Sequence, residues 1–141
     1  MVKKEKKKVE MAVGKRKFAV ARATVSTGTG KITINSIPFE LWGNEISRLR
    51  IKEPLLLAGE LAKNVDIKVN VKGGGVTGQT DAIRVAITNA LINFYQSEEL
   101  KQKILSYDRS LLISDTRRPE TRHAGGASKR GSRRHKQRSK R

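Results

Sequence analysis

Between Gly73 and Thr80 the chain reads Gly-Gly-Gly-Val-Thr-Gly-Gln-Thr. The chemistry such a run could do is phosphate binding. Glycine lets backbone N–H groups come close to a ligand, and a helix starting just after the loop aims its free N–H groups at an anion. The spacing fits the G-x-x-x-x-G-K-[ST] of a nucleotide-binding P-loop, except that Gln79 stands where the lysine should be. That lysine carries the charge held against the β- and γ-phosphates, and a neutral amide does not replace it. Asp81 adds a negative charge at the same place. Nucleotide hydrolysis is therefore disfavoured, and two readings of the loop stay open. It is either a tight turn that lets a helix pack closely on a strand, or a loop that meets an RNA backbone. The other candidates for chemistry are poorer. His123 and His135, the only histidines, have no cysteine or carboxylate cluster beside them, so no metal site is expected. Glu98 and Glu99 are adjacent at a helix start, where they complement the helix dipole. No serine, histidine and aspartate fall in a nucleophile setting. Neither an enzyme nor a cofactor is expected.

The elements that position the loop follow from hydrophobic period. Val65, Ile67, Val69 and Val71 alternate with Asp66, Lys68, Asn70 and Lys72, which predicts a strand with one buried face. After the loop, Ile83, Ile87, Leu91 and Phe94 form one stripe of a helix. Thr80 is the expected N-cap of that helix and Asp81 its first-turn acid. Upstream, Phe18 to Val25 is rich in small and β-branched residues and predicts a strand well inside a sheet. Thr27–Gly30 is a turn, and Lys31–Asn35 alternates again, so these two strands are expected to pair as a hairpin. Ile37–Glu40 is extended because Pro38 disfavours helix at Ile37. Residues 44–63 predict one or two short helices, with Pro54 in a first turn and Gly59 weakening the run. Ser97 is a second expected N-cap, followed by the stripe Leu100, Ile104, Leu105. Leu111–Ile113 is a last strand or a segment pinned on the core. The expected class is α+β: a two-layer α/β sandwich with a four-stranded mixed sheet.

Charge divides the 141 residues into three. The total is +18, with hydrophobic content of 36%. Residues 1–17 carry +6, residues 116–141 carry +10, and the long middle only +2. A nearly neutral globule thus bears two basic arms: a lysine-rich lead, 1–13, expected to be disordered, precedes the globular domain, 14–115, and a basic tail, 116–141, follows it. The tail contains no Leu, Ile, Val, Phe, Met, Trp or Tyr. It has nothing to bury against the entropy of ordering, so its expected partner is a polyanion. Nucleic acid is the first candidate and an anionic membrane surface the second. Fully extended, 26 residues reach roughly 90 Å. The tail's arginines can fork onto phosphates, and with no aromatics it is not expected to stack on bases. There is no cysteine. The longest apolar run, Leu55–Ala58, is far too short for a membrane span, and the N-terminus lacks the apolar core of a signal peptide. A soluble cytoplasmic protein is the expectation. Within the globule, Lys15, Arg16, Lys17 and Arg22 lie in or beside the first strand, and Arg84 lies near the glycine loop. For Arg84 a nucleic-acid contact and a solvated surface weigh equally.

Four segments together resemble the universal small-subunit ribosomal protein nine family, in its archaeal-like branch. They are Gly14–Ala23, Lys31–Pro38 with Ser36 where glycine is usual, Gly73–Arg84, and a tail opened by Asp115–Glu120 and closed by Ser139-Lys140-Arg141. The resemblance spans about residues 14–141. It implies a structural constituent of the small-subunit head that binds small-subunit ribosomal RNA beside neighbouring head proteins, with no membrane partner. It also implies a left-handed β-α-β crossover in the sheet. Carried over, Lys15, Arg16, Lys17, Arg22, the loop residues Gly73, Gly74, Gly75, Gly78 and Gln79, and Arg84 would anchor the globule on ribosomal RNA. Arg117, Arg118, Arg122, Lys129, Arg130, Arg133, Arg134, Lys136 and Arg138 would thread the tail through it. Ser139, Lys140 and Arg141 would approach peptidyl-site tRNA. The residues alone leave open a general nucleic-acid-binding or RNA-processing protein of similar fold, and a degenerate phosphate-binding enzyme.

Overall fold

In the computed structural model, which describes residues 8–119, the alternating run becomes strand β5 (Val65–Lys72). Its valines and Ile67 are buried while Lys68, Asn70 and Lys72 are exposed. β5 lies at the centre of a five-stranded sheet built from β1 (Val9–Arg16), β2 (Ala19–Thr27), β3 (Ile32–Ile34), β4 (Ile37–Pro38) and β5 itself, in the order β1-β2-β5-β3-β4. β1 pairs antiparallel with β2, β2 antiparallel with β5, and β5 parallel with β3. The sheet is therefore mixed, as expected, but has five strands and not four.

Two expectations are corrected here. The first strand begins at Val9, five residues before the expected start of order at Gly14. Its large apolar residues Val9, Met11 and Val13 point to the exposed face, while Ala12 and Gly14 point inward. Its pattern is thus inverted, and its lysine-rich approach masks it. Second, β2 and β3 do not form a hairpin. β5 lies between them, and its long, regular ladder takes the edge of β2 that β3 would have used. The short β3 instead turns back on β4 through Asn35 and Ser36, both with positive φ of 49° and 67°. The Asn35 side chain extends the ladder, donating to the Val71 carbonyl and accepting from its N–H.

One face of the sheet is covered by helix α3 (Val76–Tyr95), which contacts β1, β2 and β5. The expected stripe of Ile83, Ile87, Leu91 and Phe94 is buried as read, and so are Ala82, Ala86 and Ala90. The small residues let β1 come very close. A Cβ on Gly14 would stand 2.1 Å from the Ala82 carbonyl oxygen and 2.6 Å from the Ala86 nitrogen. Helices α1 (Glu45–Ala58), α2 (Glu60–Lys63) and α4 (Glu98–Tyr107) complete the helical layer, with α1 and α4 against α3. Pro54 does not open a helix. It is buried in the tenth position of α1, and Gly59, at φ +56°, ends that helix. Ser97 caps α4 as expected, its Oγ accepting from Leu100 N–H. Of the two readings of Leu111–Ile113 the pinned segment holds: Arg109–Leu111 is a 3-10 turn with Leu111 buried.

Candidate nucleic-acid interface

The glycine loop sits where three elements meet: the tight turn between β1 and β2, the end of β5 and the start of α3. The turn is Lys17-Phe18, with Lys17 at φ +54° and Phe18 largely exposed. Gly73 and Gly74 have φ of +80° and +67°, which favours glycine over any side chain. A Cβ on Gly73 would lie 2.4 Å from the Phe18 carbonyl oxygen, and one on Gly74 would lie 3.1 Å from Ala19 Cβ. These two glycines therefore serve close packing of loop against turn. Gly75 has open space around it and precedes the helix as its N-cap residue. The helix thus starts at Val76, not after Thr80. Thr80 is buried one turn in, and its hydroxyl donates to the Val76 carbonyl at 2.9 Å. Thr80 reads as a cap because hydroxyl residues favour that position, but its hydroxyl can equally turn back on the helix. Gln79 Nε2 donates to the Gly73 carbonyl at 3.1 Å, closing the loop. In the P-loop reading that position would hold a lysine reaching for phosphate; here it holds an amide tied to its own loop. A shallow groove of about 350 Å³ runs along this end, lined by Arg16, Lys17, Phe18 and the residues Gly74–Gly78.

Next to the groove lies a charge network. Asp81 faces three guanidinium groups: Arg50 at 3.2 Å, Arg16 at 3.7 Å and Arg84 at 3.8 Å. Arg84 also pairs with Glu53, and Arg16 pairs with Asp115. Arg84 is mostly buried, and its Nε finds no hydrogen-bond partner in the protein. Arg84 is thus not a solvated surface charge. It is held inward by two carboxylates, bridging α1 and α3. Asp115 accepts from the Arg117 backbone N–H at 2.8 Å and from its guanidinium at 2.6–3.1 Å. The chain therefore leaves the globule beside Lys15 and Arg16, which line the same cavity as Asp115.

The expected site residues fall into four groups, of which Arg16 and Arg84, held by carboxylates, are the first. Lys15, Lys17, the glycine loop and Gln79 come together at this end, with Arg117 and Arg118 leaving from it. Arg22 stands apart, exposed on the open face of the sheet. Arg122, Lys129, Arg130, Arg133, Arg134, Lys136, Arg138, Ser139, Lys140 and Arg141 lie outside the described residues, as do both histidines. Sequence reasoning passed over Lys68 and Lys72, exposed on β5, although the alternation of that strand already put them on its wet face. It also passed over Arg50, which only the fold brings to Asp81.

Residues 14–141 match the family described as Ribosomal protein S9/S16. The chain belongs to that family. It is 50% identical over 121 residues to small ribosomal subunit protein uS9 of Pyrobaculum aerophilum, covering 86% of this chain and 85% of the relative. It is 47% identical over 132 residues to the uS9 of Methanococcus maripaludis strain C7, covering 94% and 98%. It is 44% identical over 121 residues to the uS9 of Desulfurococcus amylolyticus, covering 86% of each. The archaeal-like branch is thereby shown. Members of the S9/S16 family are structural proteins of the small ribosomal subunit, a cytoplasmic ribonucleoprotein of translation, and not enzymes. The S9/S16 match runs through both the glycine loop and the basic tail. No described helix is long and apolar enough to cross a membrane.

Proposed function

We propose that the globule anchors on small-subunit ribosomal RNA through Lys15, Lys17, Arg22 and the loop end of α3, and that the basic tail threads onward through that RNA. One observation carries this reading: the tail departs from the same end as the exposed lysines and the glycine loop, tied down there through Arg16 and Asp115. Affinity then rises at one place and extends outward along the chain. Arg16 and Arg84 act as positioning residues, since carboxylates already hold them. The tail's cations, from Arg117 to Arg138, neutralise phosphates that crowd one another in folded RNA, and the ordering cost of such a segment is met on assembly. Ser139, Lys140 and Arg141 end the tail at peptidyl-site tRNA, where Lys140 and Arg141 meet phosphates. Neighbouring head proteins are further partners. The parallel neighbours β3 and β5, with α1 and α2 between them in sequence, form the crossover for which the family resemblance implies the left-handed sense.

The test is removal of residues 139–141 from the protein in reconstituted small subunits. Assembly should be intact and peptidyl-site tRNA binding weaker. Loss of assembly from this small deletion would overturn the division between threading and tRNA contact.

A further inference from the structure

The sheet face turned away from α3 has no covering element among the described residues. The strand register fixes which side chains share it. Lys15, Val20 and Lys72 form one row; Val13, Arg22 and Asn70 form the next; Met11, Thr24 and Lys68 form the third. Lys15, Arg22, Lys68 and Lys72 are all exposed, and among the described residues none of them is in an ion pair. Strands lie about 4.8 Å apart and same-face neighbours about 6.7 Å, so the four cations fall within a patch of roughly 10 by 13 Å. Arg22 lies about 8 Å from each of the three lysines, one Debye length at physiological salt, so the fields of these neighbours add. The nearest acid on this face is Asp66, one row beyond, whose carboxylate already accepts from the Thr29 and Lys31 N–H groups. No aromatic side chain lies on these rows. Sheets that read single-stranded RNA do so by stacking bases on aromatics, and this one lacks that means.

We propose that this open face is a second RNA-binding surface, where Lys15, Arg22, Lys68 and Lys72 grip the sugar–phosphate backbone of an RNA helix without reading its bases. The proposal rests on the ribosomal-RNA reading above and extends it from the loop end to the whole sheet. The free face is where an RNA helix fits, because the other face is filled by α3. Lys15 and Arg22 belong both to the anchor proposed above and to this face, so the loop end and the sheet would grip one continuous RNA segment.

The test uses the full chain, the double variant Lys68→Gln/Lys72→Gln, and a control, Lys52→Gln/Lys103→Gln, in which two exposed lysines of the helical layer are changed. Binding to small-subunit ribosomal RNA, to a short RNA duplex and to a single strand of equal length is measured across salt concentration. Two lost phosphate contacts should flatten the slope of log K against log salt by about 1.8 on duplex, at roughly 0.9 per phosphate. The control should leave the slope unchanged, and the duplex should bind tighter than the single strand. Equal changes in both variants, or no change in the sheet variant while the wild type binds ribosomal RNA, would overturn the sheet proposal and leave the parent reading standing. Failure of the wild type to bind ribosomal RNA would overturn the parent reading instead. Concentration-dependent dimerisation abolished by Met11→Lys would mean that a second copy covers this face, and would also overturn the proposal.

Discussion

Replacing Asp81 by Asn should make the protein less stable and a better RNA binder. Asp81 faces Arg50, Arg16 and Arg84 at 3.2, 3.7 and 3.8 Å, and all four side chains are partly exposed. Partly exposed pairs contribute about 0.2–1 kcal/mol each, so the hub is worth ~1–2 kcal/mol to folding. Without it the three guanidinium groups also repel one another. For a domain of this length the cost corresponds to a fall in melting temperature of roughly 5 °C. The difference should shrink in high salt, as partly exposed charges are screened. At the same time one acid is lost beside the groove, so affinity for RNA should rise and its salt slope steepen by at most about one. Thermal melts and filter binding on the same preparation read both effects. Weaker RNA binding in a variant that still folds would contradict a purely neutralising role for Asp81. It would mean that Asp81 arranges the arginines for RNA and does not merely neutralise them.

Other expectations follow from the backbone and from titration. Gly14→Ala should cost about 1–3 kcal/mol in urea unfolding, because the new methyl meets α3 backbone atoms that cannot rotate away; no loss would mean that β1 does not seat on α3. Ser36→Gly should stabilise by up to about 1 kcal/mol, since Ser36 adopts φ +67° and glycine removes that strain; a destabilised variant would contradict the turn. Asp66 accepts two backbone N–H bonds, which hold its pKa below the ordinary 3.8. Its contribution is therefore complete above 3.8 and is lost as pH falls through the lower folded value. The stability gap between wild type and Asp66→Asn should accordingly be constant near neutrality and close below pH 3.8; a gap unchanged by acid would show that the carboxylate charge is not what the N–H groups recognise.

What could be read from the sequence was periodic, and what could not was relational. β5 and α3 show their faces in their spacing, because Val65–Val71 bury one face and Ile83–Phe94 one stripe. Ser97 reads correctly because its cap is a local bond. The hairpin partner of β3 was misread because alternation shows that a segment is a strand and not which strand it meets. β1 was missed because Val9, Met11 and Val13 face outward and glycine and alanine face α3, against the usual sense. Pro54 suits a first turn because proline lacks an N–H, yet burial in α1 overrides that preference. At the site, the charge distribution and the glycine run were plain in the sequence. The pairing of Arg16 with Asp81 and Asp115, and of Arg84 with Glu53, was not, since these residues lie far apart in the chain and meet only through the fold.

Whether globule and tail together hold this chain as an integral small-subunit protein is decided by gradient sedimentation of a gently lysed extract at rising salt, with the protein followed by antibody. Loose polyanion binding through six to ten phosphate contacts loses roughly 10³–10⁵ in affinity between 50 and 200 mM salt. Held by both, the protein should stay with small subunits well beyond that range. Early release, or migration with DNA, would contradict it and favour a general nucleic-acid-binding protein of the same fold.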